Sequence, residues 1–336
     1  YDRTFTGVDP TTGGAAALGN FIAREFIAFG RQDGSNENGN YANQYYAPVN
    51  AGLPMILAGN PAMNDPNRWQ PITLPNSIDQ AGNPLSSTPP FVGAEWGNVV
   101  PFSLGDAQGD TYTRDGHDWR VYLDPGAPAQ LDMATPDGMN SPFKWNHLMV
   151  SIWQSHLDPT QDVQWDISPG TRGNNTSYPT TQAEYESFYD LYDGGDSSPG
   201  HAVNPVTGLP YAPNPVDRGN YARVLAEFWA DGVDSETPPG HWFEILHNVM
   251  DLPAFERRWM GQGELMDTLE YDVKIHFALG CAMHDAAITA WGIKGYYDSV
   301  RPVSAIRYMG DLGQCTDPGL PRYNPAGVPL IPGYIE

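Results

Sequence analysis

Two cations stand seven positions apart in the stretch WGIKGYYDSVRP, residues 291–302: Lys294 and Arg301. The chain holds only 3 lysines in 336 residues and carries a formal charge of −23. A helical residue turns about 100° and rises about 1.5 Å, so seven residues bring the pair to within roughly 20° of one face, about 10 Å apart. Both side chains can bend toward a point between them. An anion with several oxygens, such as phosphate or vanadate, fits that point, because Arg offers a planar fork of donors and Lys a compact charge. Trp291 lies three residues earlier on the same side and would wall the pocket. A second reading uses the same spacing. Asp298 lies four residues after Lys294 and three before Arg301, as a surface salt-bridge ladder requires. By spacing alone the ladder is the commoner outcome.

Other chemistry-bearing residues give weaker patterns. His241 and His247 are six apart, and His276 and His284 eight apart; neither pair shares a helix face closely, and no His-Glu-x-x-His occurs. His284 reads as a hydrogen-bonded core histidine, and His241, after Pro-Pro-Gly, as a capping or loop-packing group. Asp33, Asn36, Glu37 and Asn38 lack the glycine at the sixth position of a calcium loop. Asp190, Asp193 and Asp196 read as a solvated acidic turn. No nucleophile elbow, phosphate-binding loop or dinucleotide fingerprint is present. The sequons at Asn174 and Asn175 matter only in a eukaryotic secretory host.

The elements that must position these residues are mainly helical. Periodicity predicts helices over 14–30, 144–157, 181–192, 217–231 with Asp217 as N-cap, 241–250 and 264–300. Gly280, Gly292 and Gly295 are expected to break or bend the last, Pro302 to end it, and Val303–Met309 to start another short helix. Residues 31–142 are loop-rich, with short strands expected at 98–104 and 119–123. The expected organisation is a loop-rich N-terminal region, 1–142, packed on a helical core, 143–336, with an irregular C-terminal 25 residues.

Composition bounds the function. Hydrophobic residues make up 40% and aromatics 12%, enough for a packed core, while 36 Gly and 32 Pro demand many turns. Seventeen basic residues face 40 acidic ones, a surface that repels nucleic acid and anionic membranes. No apolar run is long enough for a transmembrane span. Acidity and the absence of an initial Met are in keeping with a secreted, extracellular or periplasmic protein. Cys281 and Cys315 make no disulfide framework and no zinc pattern; Cys281 reads as a buried free thiol in an apolar helix, with one bridge between the two as the alternative.

Lys294, six residues, then Arg301-Pro302 resembles the first signature block of the vanadium-dependent haloperoxidase and type 2 phosphatidic acid phosphatase superfamily. Asp285-Ala-Ala-Ile, Trp291 and Ala305-Ile306-Arg307 fall in the order seen in bacterial haloperoxidase-like proteins. AEFWADGVDSETPPGHW (226–242) is similar to that group too, and EFIAFGRQDGSNENGNYAN and NDPNRWQPITLP more loosely. The resemblance implies a haloperoxidase-like helical bundle. It implies that Lys294 and Arg301 donate hydrogen bonds to the oxygens of bound vanadate or phosphate, with Trp291 lining the pocket. Asp231 would steady an arginine of a later block, and Asp285 and Arg307 would brace helices. In the haloperoxidases the implied reaction is halide oxidation by hydrogen peroxide; in the phosphatases a histidine attacks a phosphoryl group.

Two further blocks of that superfamily, one with Pro-Ser-Gly-His and one supplying the ligating histidine, do not occur in this sequence. No residue here can be assigned as that ligand. The expectation is that the remaining half lies on a second polypeptide or a further segment. An acid phosphatase using the same pocket is the alternative enzyme. A non-catalytic extracellular structural or assembly protein that kept the fold is the alternative outside enzymes. A homo-oligomer is compatible with the loops, though no residue pattern specifies one.

Overall fold

The structure is a computed structural model that describes residues 4–76, 78, 82–86, 88–134, 141–171, 184, 200–228 and 236–336. It is mainly α, with short two-stranded sheets. The chain forms two compact units, each assembled from three segments. The first comprises 1–48, 90–127 and 236–298; the second comprises 49–89, 128–235 and 299–336.

In the first unit, α1 (Pro10–Gly30) is capped by the Asp9 carboxylate, which accepts from Thr11 N, and is kinked at Gly14. Its expected apolar stripe forms but is not buried: Leu18, Phe21, Ile22 and Phe29 are exposed and only Ala17 is enclosed. Helix α4 (Pro238–Met250) starts at Thr237, whose side chain accepts from Gly240 N. Helix α5 (Thr268–Tyr297) runs unbroken for 30 residues from the Asp267 cap. Gly280, Gly292 and Gly295 therefore do not break it. Gly292 and Gly295 instead let the backbone of 94–98 lie against the helix. A Cβ built on Gly292 would stand 2.9 Å from Gly97 Cα, and one on Gly295 would overlap the Ala94 carbonyl oxygen.

The strands of this unit are β3 (Gly109–Arg114) and β4 (His117–Tyr122), paired antiparallel from Gly109↔Tyr122 to Arg114↔His117. Their two-residue turn is Asp115-Gly116, both with positive φ, as a primed hairpin turn requires. The strand expected at 119–123 is thus present. The one expected at 98–104 is not: Trp96–Asn98 is a 3-10 turn. Beyond it, the N–H groups of Phe102 and Ser103 donate to the Asp285 carboxylate and the Val100 carbonyl accepts from His284, which leaves no ladder to form. Val99, Tyr122 and Ile288 make the core here.

The second unit carries β1 (Leu53–Pro54) parallel to β2 (Ile72–Thr73) and β5 (Gln164–Asp166) antiparallel to β6 (Pro215–Asp217). Its helices are α2 (Pro142–Ser155), α3 (Arg218–Phe228) and α6 (Pro302–Met309). Asp217 caps α3 as expected, accepting from Asn220 N at 2.9 Å. The helix expected over 181–192 lies outside the described residues apart from 184, as do residues 229–231. Phe143 from α2 packs with Ala305 and Met309 from α6 around Leu131 and Val300, while Trp145, Leu148, Met149 and Ile152 enclose Ile331. Lys144 is buried with its ammonium on the Pro325 carbonyl.

His147 on α2 donates Nδ1–H to the Phe143 carbonyl at 2.8 Å, and burial holds its pKa below the ordinary histidine value. The unfolded chain then binds more protons at this group just below pH 6.5, so the stability it contributes is present above that pH and lost as the pH falls through the folded value. Urea midpoints at pH 7.5 and 5.5 should therefore differ more in the wild type than in His147→Gln. Equal differences would show that this ring does not drive the acid sensitivity.

Candidate functional site

Arg301 sits at the start of α6 with extended backbone, φ −84 and ψ 151. Pro302 dictates that, because a residue before proline is pushed out of the helical region. Just upstream, Val300 N donates to Asn67 O at 3.0 Å and Ser299 bridges to Arg68, so residues 299–301 lie along the 67–70 loop. The guanidinium packs over the Trp69 ring at 5.1 Å, and Nη2 donates to the Gln70 carbonyl at 3.0 Å.

That loop is rigidly held. Buried Asn50 donates to Asp65 O and Arg68 O and accepts from Asp65 N. Gln70 exchanges hydrogen bonds with Asn60 (2.8 and 3.1 Å) and donates to Ala51 O. Asn50, Asn60 and Gln70 are each 1–2% exposed. Satisfied buried amides of this kind fix one geometry, since any slip would strand a polar group.

Against this frame, Arg301 Nε is buried and has no hydrogen-bond partner among the described residues; nor has Oγ of Ser304, one turn into α6. Burial lowers the Arg301 pKa, yet a guanidinium stays charged at any physiological pH. A partly desolvated cation with a spare N–H, and no ion pair among the described residues, has the donor chemistry that suits an oxyanion.

Lys294 lies in the first unit, in the last turn of α5. It is exposed, with Nζ 4.5 Å from the centroid of Trp291, a cation–π contact. Trp291 in turn packs on Trp96 at 5.9 Å between centroids. The helix stops at Tyr297. Asp298 takes the left-handed conformation, φ 49, and its N–H returns to Lys294 O. The expectation that Lys294 and Arg301 share a face of one helix is therefore corrected: they belong to different helices, separated by a non-helical link. The ladder does not form at Lys294 either, which makes no ion pair among the described residues. The buried Asp298 carboxylate instead accepts from Tyr46 Oη at 2.6 Å.

Asp231 lies outside the described residues. Asp285 and Arg307 brace, as expected. Asp285 takes the Phe102 and Ser103 amides and the Ser103 hydroxyl; burial alone would raise its pKa, but these bonds outweigh it and lower it. Arg307 donates to Gly59 O at 3.1 Å and Met55 O at 3.4 Å. His284 is a hydrogen-bonded histidine, Nε2–H to Val100 O at 3.0 Å. Cys281 and Cys315 are free thiols; Cys315 is buried, but Cys281, expected to be, is only partly so. The sequence reading missed Trp69, Gln70 and Ser304 as neighbours of Arg301; the run NDPNRWQPITLP, already notable for its resemblance, was their signal.

Residues 274–316 match the family model of the VCPO second helical-bundle domain. The match supports a vanadium haloperoxidase relationship at the level of this domain, and Trp291, Lys294 and Arg301 all fall inside it. No curated protein and no solved structure matches the chain significantly. The VCPO match opens within α5, spans the link at Asp298–Arg301, and closes just beyond α6. Vanadate is the cofactor of that family. The donor chemistry of Arg301 fits it, because its buried Nε–H has no acceptor among the described residues and an oxyanion would supply one.

Proposed function

We propose that this chain supplies the Lys/Arg share of a vanadate-dependent, haloperoxidase-like site at which hydrogen peroxide oxidises a halide. The observation that carries the reading is the buried, unpartnered Nε of Arg301, which lies in the VCPO-matching segment and packs against the braced 67–70 loop. Bound vanadate would act as a Lewis acid that activates the oxidant. Arg301 holds the anion's orientation through a fixed fork and stabilises negative charge on its oxygens in a site partly withdrawn from water. The resemblance would add the compact charge of Lys294, whose ammonium lies 4.5 Å from the Trp291 ring centroid. The ligating histidine is not assigned to any residue of this sequence; it would come from a further segment or a second polypeptide. Export to an extracellular or periplasmic setting belongs to the same proposal.

Phosphate shares vanadate's shape and charge, so the test has two arms. Orthovanadate binding is measured by calorimetry. Bromide and chloride oxidation with hydrogen peroxide is then compared with phosphate-ester hydrolysis, with and without vanadate. Vanadate-dependent halide oxidation supports the proposal. Ester hydrolysis that vanadate inhibits, without halide oxidation, moves the chain to the phosphatase reading. Vanadate affinity that is the same in the wild type, Lys294→Ala and Arg301→Ala removes both and leaves a fold kept without this chemistry.

A further inference from the structure

Helices α4 and α5 bring together two histidines that lie 29 positions apart in sequence. Nε2 of His247 and Nε2 of His276 face each other at 2.9 Å. Nδ1 of His276 is 2.7 Å from the Asp272 carbonyl. A carbonyl can only accept, so Nδ1 carries a proton, and in the neutral ring Nε2 is the nitrogen left as an acceptor beside His247. The Phe243 ring stacks on His276, 5.8 Å between centroids and 11° from parallel, which fixes the imidazole plane. Metal-binding histidines are oriented in this way, with one nitrogen tied to a backbone carbonyl and the other presented.

The spacing bears on the choice of metal if a cation replaces the shared hydrogen bond without separating the rings. Two nitrogens 2.9 Å apart, each about 2.05 Å from one cation, subtend roughly 90° there, whereas a tetrahedral ion needs about 3.3 Å between them. Ninety degrees is the cis angle of square-planar or octahedral ions, the preference of Cu(II) and Ni(II) with imidazole ligands. We propose that His247 and His276 form an open two-histidine site for Cu²⁺ or Ni²⁺ that clips α4 to α5, with water completing the coordination. Binding needs both Nε2 lone pairs. His247 therefore shifts its proton from Nε2 to Nδ1, and any additional proton shared by the pair leaves to solvent. His247 is exposed, so the site is open to ions in solution.

The test titrates the protein with CuCl₂, NiCl₂ and ZnCl₂ in a non-coordinating buffer, by calorimetry and, for copper, by electron paramagnetic resonance. The expected result is one site per chain with nitrogen splittings from two imidazoles, and nickel bound more tightly than zinc. His247→Ala and His276→Ala should each weaken copper and nickel at least tenfold. His247 is a surface residue, so its variant should keep the wild-type helical circular dichroism. Copper and nickel affinities unchanged in the double variant, or zinc bound more tightly than nickel, would overturn the proposal. The 2.9 Å contact would then be an ordinary imidazole–imidazole hydrogen bond.

Discussion

Arg301→Ala should weaken vanadate binding by about 10- to 150-fold, the largest loss expected from any single side chain here. The reasoning begins with what the guanidinium already does. One of its N–H groups is committed to Gln70 O, its face lies over Trp69, and its buried Nε has no acceptor. An oxyanion that completes this set gains a charge-assisted bond worth about 1.5–3 kcal/mol, and it relieves a buried donor. Each tenfold in affinity is about 1.4 kcal/mol, so losing this bond costs about one to two decades. Arg301→Lys should recover little, because an ammonium cannot hold Gln70 O and present a second donor in the same plane. Lys294→Ala should cost less, about fivefold at most, because an exposed ammonium is screened by solvent. Isothermal titration with orthovanadate checks all three. Equal losses in Lys294→Ala and Arg301→Ala would show that burial does not set the ranking, and no loss in Arg301→Ala would end the oxyanion assignment.

Gly295→Ala should destabilise the chain by about 3 kcal/mol or more, although a helix-interior Gly→Ala ordinarily gains about 1 kcal/mol. The reversal comes from what lies outside the helix. The new methyl would overlap the Ala94 carbonyl oxygen and sit 2.7 Å from its carbon. Ala94 is fully buried, and Arg114 Nη1 ties the Gly295 carbonyl at 3.0 Å, so neither backbone can move aside cheaply. Gly19→Ala on α1 is the control, since a Cβ there meets nothing within 4 Å. Chemical denaturation of the two variants should give shifts of opposite sign. Lys294 precedes Gly295 directly, so a displaced α5 end would also move the ammonium from Trp291.

Much of the local structure was legible in the residues. Apolar periodicity placed α2, α3, α4 and α5, and Asp217 announced its own cap. Asp115-Gly116 between alternating residues was a hairpin signal that a reading focused on 119–123 took only in part. The block around Lys294 and Arg301 stood out by composition, because cations are scarce in so acidic a chain, and the family match falls on the same block.

Periodicity is a local property, and the site depends on partners distant in sequence. Lys294 and Arg301 share a helical face only if the helix continues, and it stops because Asp298 is held left-handed with its carboxylate on Tyr46, 252 positions away. Gly292 and Gly295 looked like flaws in a helix until the 94–98 segment was seen lying against them. His247 and His276 meet only because α4 and α5 bring together residues 29 positions apart. The residue types of the cationic block were fixed by sequence. Where each cation stands, and what remains for it to bind, was decided by long-range packing, because buried polar groups accept only the partners the whole fold delivers.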